Sequence, residues 1–492
     1  MKKNIIFFLL VFGLIFNACG SGSSGSDNGE ETDDDNNNGD NLSTDCTYEP
    51  AESLYDGGSS GNGESTRTTA LTNLVESSDI TYLGAFRLPG EEGREGSFSY
   101  GGNAMTYYPE NDSLYISGHD RIAFEFAEGN QVAEVSIPEP VESDDIGDLP
   151  TATFLQNFAD VTGGLFGTYD EIPRMGLAYI NVDDSPRIYL SFGQHFHESA
   201  EDQVPTHASF DPDLSEPDTV GAWFVDDRPL YSVNGFMFDL DTTWADEHVS
   251  GRYLATGRYR DGGWSGQGPS LYAIAPWNDG SPPANCTHLN ATTLLQYATT
   301  MEDVDLTATV NNYQHVDEWE GGAFITTASG KEAIVFAGTK GVGAKYWYGY
   351  INYDDRETPC VEVEMVGDFT VCRNSDGTAC PESDLTGCDN SNDSRGWWSS
   401  EFEAQLIFYD PANLAAVADG TMKTYEPQPY NTLTVDDNLF LTEGVEDDML
   451  GTGVQRRFRI GDIAYDKENQ RLYLMELFAD GTKPVIHVFG IE

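Results

Sequence analysis

The sequence predicts an all-β domain, a five-bladed β-propeller, from three observations. Beyond Asp79, short apolar and aromatic runs alternate at period two and are separated by Gly, Pro, Asn and Asp, the pattern of strands joined by turns. One unit, a glycine leading a short apolar strand, a polar turn and a second apolar strand, returns five times. The strand-like run Ile80 to Arg87 belongs to no copy, while the last copy is one strand short, so the run can complete that sheet. A ring closed by strands from both ends leaves no open edge.

The copies pair residues 102–107 with 114–118, 176–179 with 188–193, 235–238 with 253–257, 322–325 with 333–338, and 461–465 with 472–476. Third strands come next at 132–137, 208–211, 271–275, 405–409 and 486–489, and fourth strands at 153–156 and 293–296. Helix is expected only at 413–418 and 443–450. The wide gap between Gly322 and Gly461 leaves room for a sixth blade around 360–450. A large β-sandwich or jelly roll is the alternative architecture for so strand-rich a chain.

Ahead of this domain the chain has two other characters. Lys2 and Lys3, the apolar run from Ile5 to Phe16 and the small residue Ala18 describe a secretory signal over residues 1–18. The run is shorter than the roughly 20 residues a membrane span needs. Cys19 directly after Ala18 resembles the lipobox of bacterial lipoproteins, where the new terminal cysteine carries the lipid, although Phe16 and Asn17 depart from the usual residues. Gly20, in place of Asp, resembles the sorting preference for the outer membrane. The expectation is an outer-membrane lipoprotein on the cell surface or the periplasmic face. Residues 19–78 are Gly, Ser, Asn and Asp with few apolar groups, so they read as a tether that cannot bury enough surface to order itself. A Gly57-to-Gly61 match to the hydrolase elbow falls in this stretch, without the flanking strand and helix that pattern requires.

Charge and cysteines bound the function classes. Lys+Arg total 25 against 83 Asp+Glu, a net charge of −58. Such a surface repels nucleic-acid phosphates and anionic lipid, leaving membrane contact to the anchor. Cys46, Cys286, Cys360, Cys372, Cys380 and Cys388 remain beside Cys19, an even set that reads as disulfides in an exported protein, with all fifteen pairings open. Four of them mark a disulfide-rich insertion near 360–400 within the domain at 79–492. Asp389, Ser391 and Asp393 there have the i, i+2, i+4 oxygen spacing of a calcium loop without the EF-hand glycine and distal Glu, so a structural Ca2+ or a polar turn fits. His195 and His197, with Glu198 and His207, are a weaker metal candidate or an exposed strand face.

In a propeller, the loops that enter the innermost strands and leave the second strands share one face. That placement gathers Tyr100, Arg174, Asn234, Glu318, Trp319, Glu320 and Arg459 with His119, Asp120, His195, His197, His207, Arg258, Arg260, Trp264, Lys340, Lys345, Tyr348 and Glu476. Six of only 25 basic residues fall there, with four of eight histidines. The expected ligand is an acidic polysaccharide, with Arg174, Arg260, Lys340 and Arg459 neutralising anionic groups and Trp264 and Trp319 facing sugar rings. If the site is catalytic, β-elimination leads, with His207, His119 and Tyr348 transferring protons and Arg258 steadying the carboxylate dianion. Glycoside hydrolysis by Glu320 and Glu476 comes close behind. Two bland readings stand beside these: cations paired with neighbouring carboxylates, and a non-catalytic adhesion, scaffold or ligand-binding propeller.

The segments 257–264 (Gly-Arg-Tyr-Arg-Asp-Gly-Gly-Trp), 319–323 (Trp-Glu-Gly-Gly-Ala) and 409–414 (Tyr-Asp-Pro-Ala-Asn-Leu) resemble an uncharacterised family of secreted bacterial β-propeller-like proteins. The resemblance runs from about Asp79 onward and implies the fold alone.

Overall fold

The structure, a computed structural model, describes residues 46, 73–90, 97–119, 123–124, 127–128, 131–165, 173–194, 204–228, 232–258, 266–298, 308–314, 316–343, 345–347, 397–399, 401–444 and 450–492. Five antiparallel sheets of four main strands form the blades. Blade 1 runs Met105–Tyr108, Ser113–Ser117, Val132–Ser136 and Phe154–Ala159 outward from the axis. Blade 2 runs Pro173–Val182, Ser185–Gln194, His207–Phe210 and Val220–Val225, and adds the short parallel strand His288–Leu289 at its edge. Blade 3 comprises Met237–Asp239, Leu254–Thr256, Leu271–Ile274 and Ala291–Leu295. Blade 4 comprises Glu318–Thr326, Glu332–Gly341, Phe402–Tyr409 and Asn431–Thr434. In blade 5, Ile460–Asp466, Arg471–Asp480 and Lys483–Ile491 are completed by Ile80–Arg87, which pairs from Ile80 opposite Ile491 to Arg87 opposite Val485. The innermost strands contact one another in the order 1-2-3-4-5-1, so the ring closes as the unclaimed strand predicts.

The repeat glycines mark where backbones crowd the axis. A Cβ on Gly176 would sit 2.3 Å from the carbonyl oxygen of Gly235, and one on Gly461 would sit 2.1 Å from that of Gly102. Those approaches hold blade 2 to blade 3 and blade 5 to blade 1, and only glycine permits them.

Each sheet is buried on both faces, which explains the near-continuous apolar runs. In blade 4, Ile334 and Phe336 join the core shared with blade 3, while Ala333, Val335 and Ala337 turn to blade 5. Three further apolar clusters fill the seams between blades 1 and 2, 5 and 1, and 2 and 3.

Departures from the sequence reading are local. Packing starts earlier than the predicted tether boundary: Val75 is fully buried, and Leu74 bridges Glu332 of blade 4. Leu74 and Val75 are an apolar pair in a polar stretch, and burying them recovers their transfer free energy. A helix at Thr242–His248 was not expected; Asp241 caps it by accepting from the N–H groups of Thr243 and Trp244. The expected one spans Pro411–Ala418. The wide repeat spacing is an insertion in blade 4, entered and left through Lys345–Trp347 paired with Trp397–Ser399, and no sixth sheet of blade size occurs among the described residues. Cys46 is bonded to Cys286, with Cα atoms 5.6 Å apart. Among the described residues no helix is long and apolar enough to cross a membrane.

Candidate functional site

The face where loops enter the innermost strands carries a cleft of about 730 Å³ between the 310–314 connection and blade 4. Trp319, at the start of the innermost strand, and Lys340, near the end of the second, both line it. The rest of its wall is largely uncharged and polar: Asn311, Asn312, Gln314, Gln405 and Thr432. The connection is pinned from behind, because the Asn311 N–H donates to the side-chain carbonyl of Gln428, whose Nε2 donates back to the Thr309 carbonyl.

Charge inside the cleft is compensated. Lys340 Nζ lies 3.0 Å from Asp317 and 2.8 Å from the Gly341 carbonyl, which leaves one of its three N–H groups. Asp317 also accepts from the backbone N–H groups of Gly341 and Gln314. Burial pushes the Asp317 carboxyl up, and the Lys340 ammonium and these donors pull it back down. Trp319 Nε1 and Gln314 Oε1 are closed to solvent and have no hydrogen-bond partner among the described residues. Trp319 is 2% exposed, so it offers no open face on which a sugar ring could stack.

The other predicted residues occupy separate seams of the same face. His207 is buried between blades 2 and 3; its Nδ1 accepts from Thr206 Oγ1 at 2.8 Å and its Nε2 donates to Thr256 Oγ1 at 2.9 Å. The tautomer is set by Thr256, whose hydroxyl is already donated to the Val233 carbonyl. Burial without a counter-charge pushes the imidazole down to about 3, so it is neutral near pH 7. Arg258 is buried in the same seam and donates to Asn234 Oδ1. His119 is buried beside Tyr100, ring centroids 5.6 Å apart, and Tyr100 in turn meets Phe478 of blade 5.

Arg459 and Glu476 close loops. Arg459 pairs with Asp436 at 2.6 Å and donates to the carbonyls of Gly453, Val454 and Arg456. Glu476 is fully buried, accepts from the backbone N–H groups of Phe440 and Leu441, and pairs with His487 at 2.8 Å. Glu320 is half-buried on the innermost strand of blade 4. Arg174 lies in the first strand of blade 2, opposite Gly193. Its side chain, together with Arg260, Trp264, Tyr348, His195, His197, Asp389, Ser391, Asp393 and Cys19, lies outside the described residues. The structure therefore brings Trp319 and Lys340 together in one cleft and distributes His207, His119, Arg258, Arg459 and Glu476 among the seams.

Sequence reasoning missed Asp317 and Gln314. Asp317 directly precedes Glu318, so extending that acidic stretch by one residue would have reached it, whereas Gln314 carries no signal.

The opposite mouth of the central channel is a second cleft, about 660 Å³, lined by all five innermost strands. Tyr107, Tyr179 and Tyr465 surround it with Asp183, Asp239 and Glu468. Lys467 there is paired with Asp241 at 2.6 Å. Asp239 reaches channel water yet is enclosed by protein, and that desolvation pushes its carboxyl up to about 6.

Sheet pairing and the closed ring make this a β-propeller with a cleft on the loop-bearing face. No family model matches the chain, and no curated protein matches it. Among solved structures it is similar to the β-propeller domain of Myceliophteria thermophila Cps50 (Swd1), with 10% identity over 84% of this chain and 100% of that one. The TM-score is 0.25, too low to carry any argument, so the fold rests on the strand pairing alone.

Proposed function

We propose that the protein is an exported lipoprotein, anchored to the outer membrane through Cys19, whose propeller binds a glycan without cleaving it. The observation that carries the binding reading is the cleft beside blade 4, where uncharged hydrogen-bonding side chains surround a single neutralised ion pair. Ligand sites of this size combine such groups with a partly apolar wall, here Trp319, Ile407 and Val310. Binding without chemistry fits the state of the proton-transfer candidates that are described. His207 has both ring nitrogens engaged, and Glu476 spends its carboxylate on His487 and two backbone donors. General acid–base work needs a group within hydrogen-bond reach of substrate.

The anchor reading draws on Lys2, Lys3, the apolar run after them and the Ala18-Cys19 junction. Radiolabelled palmitate fed to expressing bacteria should enter the wild-type chain and not a Cys19→Ser variant; label in the variant would exclude this anchor. The purified full chain, incubated with a panel of bacterial and plant glycans, should retain at least one of them. It should release neither new reducing ends nor an unsaturated, ultraviolet-absorbing product. Release of either product would make it an enzyme and overturn the non-catalytic reading.

A further inference from the structure

The channel mouth opposite the loop-bearing face has a chemistry of its own, independent of the glycan reading. We infer that this mouth binds a small organic cation with alkyl groups on its nitrogen, held between the Asp239 carboxylate and a wall of tyrosine rings.

Asp239 is the last residue of the innermost strand of blade 3. It lines the cleft and is exposed, so a ligand in the channel can reach it. Among the described residues no other group donates a hydrogen bond to it; the one its carboxylate accepts comes from its own backbone N–H. Lys467, the one base among the described residues of the wall, acts on it through charge, but that ammonium is paired with Asp241 at 2.6 Å. Surrounding protein takes water from Asp239 and pushes its carboxyl up, so the ionised form is held at a cost that an arriving positive charge would offset.

The wall supplies the other half. Tyr107, Tyr179 and Tyr465, from the innermost strands of blades 1, 2 and 5, line the cleft and are half-buried. Each spends its hydroxyl proton on an acceptor: Asp112 at 3.1 Å, Glu110 at 3.2 Å and the Thr326 carbonyl at 2.9 Å, respectively. None of the three hydroxyls is left to donate to an anion, whereas electron-rich rings attract a cation. Burial, and after it the charges of Asp466, Asp112, Glu110 and Asp239, hold these phenols above their ordinary value, so the mouth already opposes added negative charge. Met237, Phe238 and Ile463 also line it, which suits alkyl groups better than a hydrated inorganic ion. A hard metal ion asks for about six oxygen ligands. The other exposed carboxylates of the wall, Asp183 and Glu468, sit on turns of blades 2 and 5, and among the described residues no three His, Cys, Asp or Glu side chains converge to hold a metal.

The test titrates the purified full chain with choline and with its uncharged carbon analogue, in which a tert-butyl group replaces the trimethylammonium group. Calorimetry is run at about pH 8, where Asp239 with its carboxyl at about 6 is ionised, and at moderate salt to screen the net charge of −58. Choline should bind, and the analogue should bind at least about tenfold more weakly. Asp239→Asn keeps the shape, removes the charge and should weaken choline binding about tenfold or more. Tyr179→Leu removes one ring and should weaken it about fivefold. Asp213→Asn, at an exposed carboxylate outside the cleft, should leave binding unchanged. Tm and circular dichroism report folding, and if Tyr179→Leu does not fold, Asp239→Asn carries the test. No choline binding, or equal binding of the analogue, would overturn the inference. Equal losses in Asp239→Asn and Asp213→Asn would overturn it in favour of attraction to the whole acidic surface. Choline binding untouched by Asp239→Asn would put the cation elsewhere, and binding untouched by a folded Tyr179→Leu would overturn the role of the rings. Calcium binding that depends on Asp239, without choline binding, would give the mouth to a metal ion instead.

Discussion

His207 allows the seam between blades 2 and 3 to be tested through pH alone. Its imidazole titrates at an ordinary 6.5 when exposed and is pushed down to about 3 in the fold, because burial removes water and neither Thr206 nor Thr256 supplies charge. The native state thus refuses a proton that the unfolded chain accepts. Above 6.5 both forms are neutral and nothing is lost; as pH falls below 6.5 the unfolded state gains stability, until the native state also protonates near 3. Within that window stability falls by about 1.4 kcal/mol per pH unit. Going from pH 7 to pH 5 therefore removes about 2 kcal/mol through this residue, and the full window at most about 5 kcal/mol. Carboxylates titrate over the same range, so the informative quantity is a double difference. His207→Gln keeps an N–H donor toward Thr256 and cannot titrate. Urea unfolding at pH 7 and pH 5 should show the native chain losing about 2 kcal/mol more than the variant. Two curves that shift in parallel would mean that His207 takes up a proton in the native state, and the buried, uncharged seam would be refuted.

The same packing sets four further expectations. Asp239 should behave with the opposite sign: its raised carboxyl is ionised at a cost above about 6, and that cost fades as both states protonate below its ordinary 3.8. Asp239→Asn should therefore raise Tm at pH 7 and leave it unchanged near pH 3, with the gain held small because channel water reaches the group. Glu476→Ala removes the acceptor of His487 Nε2 and of the Phe440 and Leu441 N–H groups, leaving His487 held only by the Tyr82 hydroxyl at Nδ1, and should cost about 3–5 kcal/mol in urea unfolding; a cost under about 1 kcal/mol would count against it. Gly461→Ala forces a methyl to within 2.1 Å of the Gly102 carbonyl and should lower stability by about 1–3 kcal/mol or more, where an alanine at Gly420, with no neighbour within 4 Å, should cost less despite its positive φ. Peptide mapping without reductant should return Cys46 joined to Cys286, and recovery of Cys46 with any other cysteine would contradict the fold at that edge.

Much of the fold was legible because a propeller repeats its constraints. Period-two alternation survives in each blade, as at residues 333–337, where successive side chains feed two different seams. The repeat glycines are legible because space at the axis is short: a Cβ would meet neighbouring backbone at Gly176, Gly235 and Gly461, and the side chains of Leu477 and Phe238 at Gly102 and Gly322. Ile80–Arg87 was identifiable as the closing strand because an unpaired strand at one end matched a missing strand at the other. What escaped has no periodic signature. The helix at Thr242–His248 depends on one capping carboxylate, and Asp241 looks like any other acidic turn residue in a chain so rich in them. The parallel strand His288–Leu289 consists of only two residues. In the cleft, Trp319 and Lys340 stood out by residue type, whereas Gln314 joins the same wall with nothing in its residue type to mark it.

The cations show why charge was an uncertain guide to the site in this chain. With 83 acidic residues against 25 basic ones, any loop that turns inward meets a carboxylate, and a basic side chain there ends an otherwise uncompensated burial. Arg459 illustrates the result: its guanidinium spans Asp436 and three backbone carbonyls, and these connect the 453–456 turn to blade 5. Lys340 does the same for the 314–317 turn through Asp317. Arg459 and Lys340 therefore sit on the loop-bearing face as fasteners of long connections, whether or not a ligand lies there. A paired charge has already spent its attraction, so it marks a fastening point.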